Sequence, residues 1–236
     1  AGRLGNGSYA ANITNNGAFY FNSTANQTLS GVISGSGGLT VQGAGNLTLS
    51  GSNSYSGVTT LNAGSLLVSA DDNLGGTPGP ATAGSLVLNG GALRATANFT
   101  LNANRGVTLG SSNGTFTIDP SVSLNYAGVI AGTGSMTKSG SGTFVMSGSN
   151  SYSGSTNVTA GTLQIGAGGT SGGVNASSNL NISTGTTLAF NRSDNISIAN
   201  NISGAGALVK SASNTLTLTG LQTYTGSTNV TSGAIV

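Results

Sequence analysis

The 236-residue chain contains no cysteine, histidine, tryptophan or glutamate, and only 4% of its residues are charged. Without cysteine and histidine it lacks disulfides and the usual ligands of zinc. Ordinary soluble proteins carry about 25% charged residues. The six Lys and Arg residues are scattered, whereas nucleic-acid binding needs clustered cations. The composition therefore predicts no metal, no other cofactor and no nucleic-acid partner.

Long apolar runs are also missing. A membrane-spanning helix needs about 20 consecutive apolar residues, and the apolar runs here extend for only a few residues. Disorder is disfavoured as well, because 36% of the residues are hydrophobic and the net charge is +2. A Ser-, Thr-, Asn- and Gly-rich chain without cysteine is typical of exported bacterial proteins. We therefore expect an extracellular or cell-surface location and no membrane insertion of this segment.

Internal repeats dominate what is present. The phrase SGSNSYSG begins at Ser50 and again at Ser147, and a looser copy, TGLQTYTG, begins at Thr219. The blocks that contain these phrases span about 31–68, 128–165 and 202–236. The first two blocks are 97 residues apart and the last two are 72 residues apart. The difference of 25 residues predicts one extra structural unit between the first two blocks.

A shorter period underlies the blocks. Triplets such as LTL, LLV and LVL recur about every twenty residues, separated by Gly, Asn and Ser. Their apolar–polar–apolar alternation predicts short strands with one buried face. Strands this short need stacked neighbours, so we predict an all-β, single-stranded parallel β-helix (β-solenoid) of about eleven coils of roughly 20 residues. At about 4.8 Å per coil, the rod is on the order of 50 Å long.

This solenoid is expected to be one continuous unit over residues 1–236, with two or three short strands in each coil. Its interior is predicted to hold Leu, Val, Ile, Phe and Met and no charge, because an unpaired buried charge is costly. An antiparallel sandwich or barrel also has many short strands. The nearly constant coil length disfavours that alternative.

The blocks resemble the autotransporter-associated β-strand repeat of bacterial autotransporter passenger regions. The first copy carries the resemblance at Gly43, Ala44, Gly45, Leu47, Thr48, Leu49, Gly51, Asn53, Tyr55, Gly57, Thr59, Gly64 and Leu66. The second copy retains Gly140, Gly142, Gly148, Asn150, Tyr152, Gly154, Thr156, Gly161 and Leu163. The third departs from the pattern at Ala212, Ser213, Asn214 and Gln222 but retains Gly220, Tyr224, Gly226, Thr228 and Gly233. The resemblance implies an exported, right-handed β-helix displayed outside the cell, and the ending inside a repeat implies a fragment of a longer chain.

Candidate catalytic groups are few. Nucleophilic Ser or Thr needs a neighbouring base, and there is no histidine. Lys138 and Lys210 align with Val41 in the first copy, which predicts a tolerated surface position. Asp71 and Asp72 are adjacent and lie in a segment that we expect to be an outward loop. The sequence therefore predicts a protein that is not an enzyme and has no catalytic residues.

Three aligned tyrosines, Tyr55, Tyr152 and Tyr224, leave two interpretations open. Aromatic rings on a solenoid face stack on sugars, which makes these residues possible contacts for a glycan or another partner. Alternatively, each ring fills a corner of the core with its hydroxyl reaching water. The second interpretation is favoured.

Two functions follow from the solenoid. The first is a non-catalytic structural or adhesion segment of an autotransporter-type passenger. The alternative is a self-assembling extracellular filament, stacked head to tail through uncapped ends. The possible end-to-end contacts are Leu4, Ala234, Ile235 and Val236. The expected partners are other copies of the chain or neighbouring coils, with host or matrix glycans as a more remote possibility.

Overall fold

The computed structural model describes residues 2–176 and 178–236. Within these residues it contains short strands and two short 3-10 segments, Leu4–Gly7 and Asp71–Leu74, but no α-helix. The longest strand has seven residues. Buried and less buried residues alternate along most strands, as in Arg105–Leu109, because successive side chains of a strand point to opposite faces.

The strands are numbered in chain order. The first nine are β1 (Ser8–Tyr9), β2 (Ile13–Thr14), β3 (Ala18–Phe21), β4 (Gln27–Leu29), β5 (Ile33–Ser34), β6 (Gly38–Val41), β7 (Asn46–Leu49), β8 (Thr59–Leu61) and β9 (Ser65–Val68). The next nine are β10 (Thr82–Leu88), β11 (Ala92–Ala95), β12 (Phe99–Leu101), β13 (Arg105–Leu109), β14 (Gly114–Ile118), β15 (Ser123–Tyr126), β16 (Ile130–Gly132), β17 (Met136–Ser139) and β18 (Thr143–Met146). The last ten are β19 (Thr156–Val158), β20 (Thr162–Ile165), β21 (Leu180–Ile182), β22 (Thr187–Phe190), β23 (Ile196–Ile198), β24 (Ile202–Gly204), β25 (Ala207–Lys210), β26 (Thr215–Leu218), β27 (Thr228–Val230) and β28 (Ala234–Ile235).

The strands form three faces, which the chain visits in the same order in every coil. Face 1 is the ten-stranded sheet β1-β4-β7-β9-β11-β14-β17-β19-β21-β24. Face 2 begins with the pair β2-β5 and continues as the seven-stranded sheet β12-β15-β18-β20-β22-β25-β27. Face 3 begins with the six strands β3-β6-β8-β10-β13-β16 and continues as β23-β26-β28. Non-strand segments fill the interruptions of faces 2 and 3.

The pairing pattern confirms the predicted fold. All strand pairs of the described chain are parallel, each joining one coil to the next. Face 1 is visited by ten strands and then by Gln222, which bridges to Ile202, so the solenoid has about eleven coils. The antiparallel alternative is therefore wrong.

The core is a set of columns in which each inward residue lies on its equivalent in the next coil. On face 1 one column contains Leu47, Leu66, Leu93 and Phe116, all fully buried. Phe116 also stacks on Phe144 of face 2, with ring centroids 4.6 Å apart. Because apolar side chains lie on apolar side chains from coil to coil, coils with different sequences can keep the same width and shape of core.

The three sequence blocks do not lie on the same faces. The first block places β5, β6 and β7 on faces 2, 3 and 1. The equivalent strands of the second block, β16, β17 and β18, lie on faces 3, 1 and 2. In the third block, β24, β25 and β26 lie on faces 1, 2 and 3. Each copy is therefore advanced by one face, or one third of a coil, relative to the copy before it.

Candidate functional site

The repeated phrase forms a corner that replaces a strand. In the first copy it occupies face 2, above β5. There the Ser54 and Tyr55 backbone N–H groups donate to the Ile33 carbonyl, with N–O distances of 2.8 and 3.2 Å. In the second copy, Ser151 and Tyr152 donate in the same way to Ile130, at 2.8 and 3.3 Å. The corner thus continues the hydrogen bonding between coils without extended backbone.

An asparagine side chain completes each of the first two corners. Asn53 Oδ1 accepts from the Ile33 backbone N at 2.7 Å, and its Nδ2 donates to the Asn73 carbonyl at 2.6 Å. Asn150 makes the equivalent bonds to Ile130 N and to the Gly173 carbonyl, at 2.9 and 2.7 Å. One side chain therefore joins three successive coils, which explains why the phrase keeps its asparagine.

The corner tyrosines lie in or against the core. Tyr55 is 1% exposed and Tyr152 is 0% exposed. Their hydroxyls pair with Thr59 Oγ1 at 2.7 Å and Thr156 Oγ1 at 2.6 Å, rather than reaching water. Desolvation raises the pKa of each to about 12. Neither ring presents a face to a glycan in this structure.

Tyr224 differs from the other two tyrosines because it lies in the last described coil. Its hydroxyl makes the same contact, to Thr228 Oγ1 at 2.6 Å, but the ring remains partly exposed. A contact between Tyr224 and a glycan or another partner stays a prediction.

Glycine allows the coils to approach closely at the end of each corner. A Cβ placed on Gly57 would lie 2.4 Å from the backbone carbon of Gly37. The same atom on Gly154 would lie 2.4 Å from the Gly134 backbone. Any other residue would force neighbouring backbones apart, so the glycine is required by packing.

The interior carries charge, contrary to expectation. Lys138 and Lys210 are 0% exposed, so the predicted surface position is wrong. Lys138 follows Phe116 and precedes Val158 in the face 1 core column. Its Nζ donates to the carbonyls of Ser139, Gly140 and Ala160 at 3.0, 2.7 and 2.9 Å. These carbonyls satisfy the ammonium, while burial lowers the pKa of Lys138 to about 8.

Lys210 plays the same part on face 2, where it follows Phe190 and precedes Val230. Its Nζ donates to the Ala212 carbonyl and, at 3.5 Å, to that of Ser232 in the next coil. The aligned Val41 fills the first copy without a charge. A lysine here is thus a core residue that caps turn carbonyls.

A third buried cation fixes the segment around Asp71 and Asp72. Arg105 is 3% exposed, and its Nε donates to Asp71 Oδ1 at 2.8 Å. Its Nη2 and Nη1 donate to the Gly75 and Leu74 carbonyls at 2.6 and 3.0 Å. Asp72 is exposed as expected, but Asp71 is partly buried, so the outward-loop interpretation is only half right.

The remaining carboxylates are also engaged. Asp119 pairs with Arg94 at 2.7 Å and Asp194 with Arg192 at 2.6 Å. Asp72 accepts from Ser52 Oγ at 2.6 Å. Across residues 2–176 and 178–236 no three metal-ligating side chains cluster, and no described helix is long and apolar enough to cross a bilayer.

Two excursions interrupt the smooth surface of the rod. The first, residues 69–81, follows β9 and is held by Arg105. The second, described at residues 166–176 and 178–179, follows β20. Arg192 holds the second through bonds to the carbonyls of Gly172 and Thr170, at 2.6 and 2.5 Å. Because β9 and β20 are equivalent in the repeat, both excursions leave from the same point of the sequence pattern.

A cleft of about 340 Å³ lies beside the first excursion on face 3. It lies where β10 is not yet paired with β8, since that pairing begins only at Leu86. Between Thr82 and Leu86 the register of β10 also shifts against β13 on its other side. Residues 82–85 therefore do not pair with the segment that precedes β8. The recurring triplets do not indicate this cleft; the signal near it in the sequence is the Gly- and Pro-containing stretch 75–80 between β9 and β10.

The predicted end-contact residues lie at the two ends of the solenoid. Leu4 is 44% exposed and Val236 is 73% exposed. Ala234 and Ile235 form β28, which pairs with β26. End-to-end contact through these residues stays a prediction.

Comparison with known proteins identifies the family to which the three repeated blocks are similar. The family model for the passenger-associated-transport-repeat matches residues 39–68, 136–165 and 208–236. The three blocks contain passenger-associated-transport-repeats. The predicted resemblance to autotransporter passenger regions is therefore confirmed. Each matched repeat ends at the second strand after the corner, β9, β20 or β28.

One curated relative supports the same family. The chain is 40% identical over 183 residues to the adhesin BmaC autotransporter of Brucella suis biovar 1 (strain 1330). The match covers 78% of this chain but 5% of the relative. No solved structure matches the chain significantly. The chain therefore spans only a small part of the length of this relative.

Proposed function

We propose that the chain is a non-catalytic segment of an exported autotransporter-type passenger and contributes to adhesion at the bacterial surface. The observation that carries the proposal is the 40% identity to an autotransporter adhesin across most of this chain. Passenger repeats in all three blocks support it further.

The physical character of the rod suits this role. Its core columns and corner hydrogen bonds make a rigid extended support, because each coil contacts only its neighbours and adds length. The outward residues of the strands are mainly Thr, Ser, Asn and small apolar side chains. Excursions such as those after β9 and β20 can project from this surface at set positions along the rod while the core columns continue unchanged.

The adhesion proposal is tested with the purified 236-residue chain. Fluorescently labelled chain should bind cultured host cells saturably and reduce adherence of the bacterium that encodes it. A heat-unfolded sample is the control. Absence of saturable binding, together with unchanged adherence, would contradict the adhesion role.

Export is tested separately. Antibodies raised against the chain should label intact bacteria, and external protease should remove that label without lysing the cells. Labelling only after permeabilisation would contradict surface display. The head-to-tail filament remains a second proposal; regular fibres in electron micrographs of the purified chain would favour it, and dispersed rods at high concentration would contradict it.

A further inference from the structure

The coils carry many copies of Asn-x-Ser/Thr, the tripeptide in which asparagine accepts an N-linked sugar. Fourteen asparagines stand in this tripeptide, none with proline at x: Asn6, Asn12, Asn22, Asn26, Asn46, Asn98, Asn113, Asn157, Asn175, Asn181, Asn191, Asn195, Asn201 and Asn229. We propose that six of them are modified by N-linked sugars: Asn12, Asn26, Asn98, Asn113, Asn195 and Asn201. This covalent modification is independent of the adhesion role.

The six asparagines share one position and one hydrogen bond. Each immediately precedes a strand, namely β2, β4, β12, β14, β23 or β24. Each Oδ1 accepts a backbone N–H from the next coil, as between Asn98 and Ser123 N at 2.7 Å and between Asn113 and Ser135 N at 2.8 Å. The other four N–O distances lie between 2.8 and 3.0 Å. Each of these side chains therefore links two coils through its carbonyl oxygen alone.

This bond determines which atom of the amide is left free. A backbone N–H only donates, so the atom that it meets is the carbonyl oxygen, and the reversed orientation of the amide is excluded. All six side chains are exposed, and none of their Nδ2 atoms donates to another group within residues 2–176 and 178–236. Nδ2 is the atom to which an N-linked sugar is attached. This fixed orientation distinguishes the six from the other tripeptide asparagines.

Asparagines that use Nδ2 inside the rod contrast with these six. Asn53, Asn150 and Asn200 donate Nδ2 to backbone carbonyls of other coils. None of the three has Ser or Thr two positions further on. Asn181 is in the tripeptide, but its Nδ2 donates to Asn157 Oδ1 at 2.9 Å, so it is not one of the six. Strand geometry contributes to this separation, because residues two positions apart share a face.

The modification preserves the link between coils. Nδ2 forms a bond to the anomeric carbon of a sugar carried on a diphosphate, and the bond from that carbon to the phosphate oxygen breaks. The diphosphate leaves, and one Nδ2 proton passes to a base of the transferase. The product is still an amide, and its Oδ1 still accepts the N–H of the next coil. Because middle residues such as Gln27 and Ile202 are buried in the folded rod, we expect transfer to precede stacking of the coil.

Trypsin separates the sites, because the chain has only six Lys and Arg residues. Peptide 95–105 contains Asn98 in the tripeptide, together with Asn102 and Asn104, which are outside it and serve as internal controls. Two further peptides, 106–138 and 193–210, contain Asn113 and the pair Asn195 and Asn201. The protein is taken from the surface of the bacterium that encodes it, unfolded, digested and examined by mass spectrometry with electron-transfer fragmentation.

We expect added sugar mass on all three peptides, with the fragments placing it on Asn98 and not on Asn102 or Asn104. The same chain produced in a bacterium without an N-glycosyltransferase gives the unmodified reference masses. A single monosaccharide at each site would indicate a nucleotide-bound donor, and one preassembled oligosaccharide would indicate a lipid-bound donor. Both results support the modification.

Two matched variants at Thr100 connect the sugar to the tripeptide. Thr100 is exposed, and its hydroxyl forms no hydrogen bond in the described chain, so we expect Thr100→Val and Thr100→Ser both to fold. Circular dichroism checks this. Thr100→Val should lose the sugar on Asn98 and retain the one on Asn113, whereas Thr100→Ser, which keeps a hydroxyl, should retain both.

Two kinds of result would overturn the inference. The first is unmodified mass for all three peptides from the bacterium that encodes the chain. The second is sugar attached to serine or threonine, or sugar that persists on peptide 95–105 in Thr100→Val. Adhesion is measured separately with the labelled chain, so failure of either proposal is recognised without reference to the other.

Discussion

The first and second corners have the same eight letters but lie on different faces of the rod. In the first copy SGSNSYSG interrupts face 2, and in the second it interrupts face 3. The bonds of Asn53 and Asn150 nevertheless match, as do those of Tyr55 and Tyr152. The corner is therefore specified locally, while its direction from the axis depends on how much chain lies between copies.

The largest effect on stability is expected from substituting the glycine at the end of each corner. Gly57→Ala and Gly154→Ala should each destabilise the chain by about 3 kcal/mol, because a Cβ would contact backbone at 2.4 Å. Thermal unfolding by circular dichroism should show drops of about 6–12 °C. Gly79→Ala, with open space, is the control. A large drop in only one corner would break the comparison.

The two corner asparagines, Asn53 and Asn150, should contribute differently to stability because they differ in burial. Asn53 is buried, whereas Asn150 is partly exposed. We expect Asn53→Ala to cost about 2–3 kcal/mol, since it leaves the Ile33 N–H and the Asn73 carbonyl without partners. Asn150→Ala should cost about 1 kcal/mol less, because water can reach its partners. The two midpoints in urea give this ranking, and equal losses would contradict it.

The first two copies should differ in how their stability depends on pH, because the second has Lys138 at the position where the first has the uncharged Val41. Because the pKa of Lys138 is about 8 when folded and 10.5 as a free side chain, the unfolded chain binds more protons between these values. Stability should therefore rise from pH 8 to 9.5, by about 2 kcal/mol. Lys138→Met should lack this rise, and native and variant melting temperatures measured across this window test it.

The upper limit of the pH window is set by tyrosine. Burial raises the pKa of Tyr55 and Tyr152 from the ordinary value of about 10 to about 12, so their ionisation lowers stability as the pH rises from 10 towards 12. Native chain and Lys138→Met share this loss. If both show the same profile between pH 8 and 9.5, Lys138 does not titrate there.

The smallest effect is expected at the tyrosine hydroxyls. Tyr55→Phe and Tyr152→Phe should each cost about 1 kcal/mol, because each leaves its threonine hydroxyl without that partner. Tyr224→Phe should cost less, since its contact is solvent-accessible. Differential scanning calorimetry is suited to these small shifts. A larger loss at Tyr224 would show that burial does not control the contribution.

Much of the fold was predictable because its signals are local and repeated. Alternation in LTL or LQI assigns one side of a strand to the core, and a period near twenty residues assigns the coil. Lys138 and Lys210 were misassigned because a charged side chain in an alternating triplet ordinarily indicates a surface position. Their acceptors include Ala160 and Ser232, one coil further on, and the sequence alone does not show that proximity.

The cleft was unpredictable for a related reason. It lies where β10 pairs with β8 only from Leu86 onward, and beside an excursion that Arg105 holds from more than thirty residues further along the chain. Each contact joins residues that are distant in sequence, and the composition of residues 75–85 resembles any Gly- and Pro-containing loop. Only the arrangement of neighbouring coils turns that loop into one wall of a cavity.

By itself the sequence determined that this chain is a parallel solenoid of about eleven coils. It also determined a glycine–tyrosine corner that repeats three times, with an asparagine in the first two copies and Gln222 in the third. Alternation and period suffice for that, because they act within one coil and its neighbour. The tertiary structure decided which face each corner occupies, that two lysines and an arginine lie inside, and where the rod opens into a cleft. Those features depend on accumulated chain length and on carbonyls supplied by other coils, which are brought together only when the coils stack.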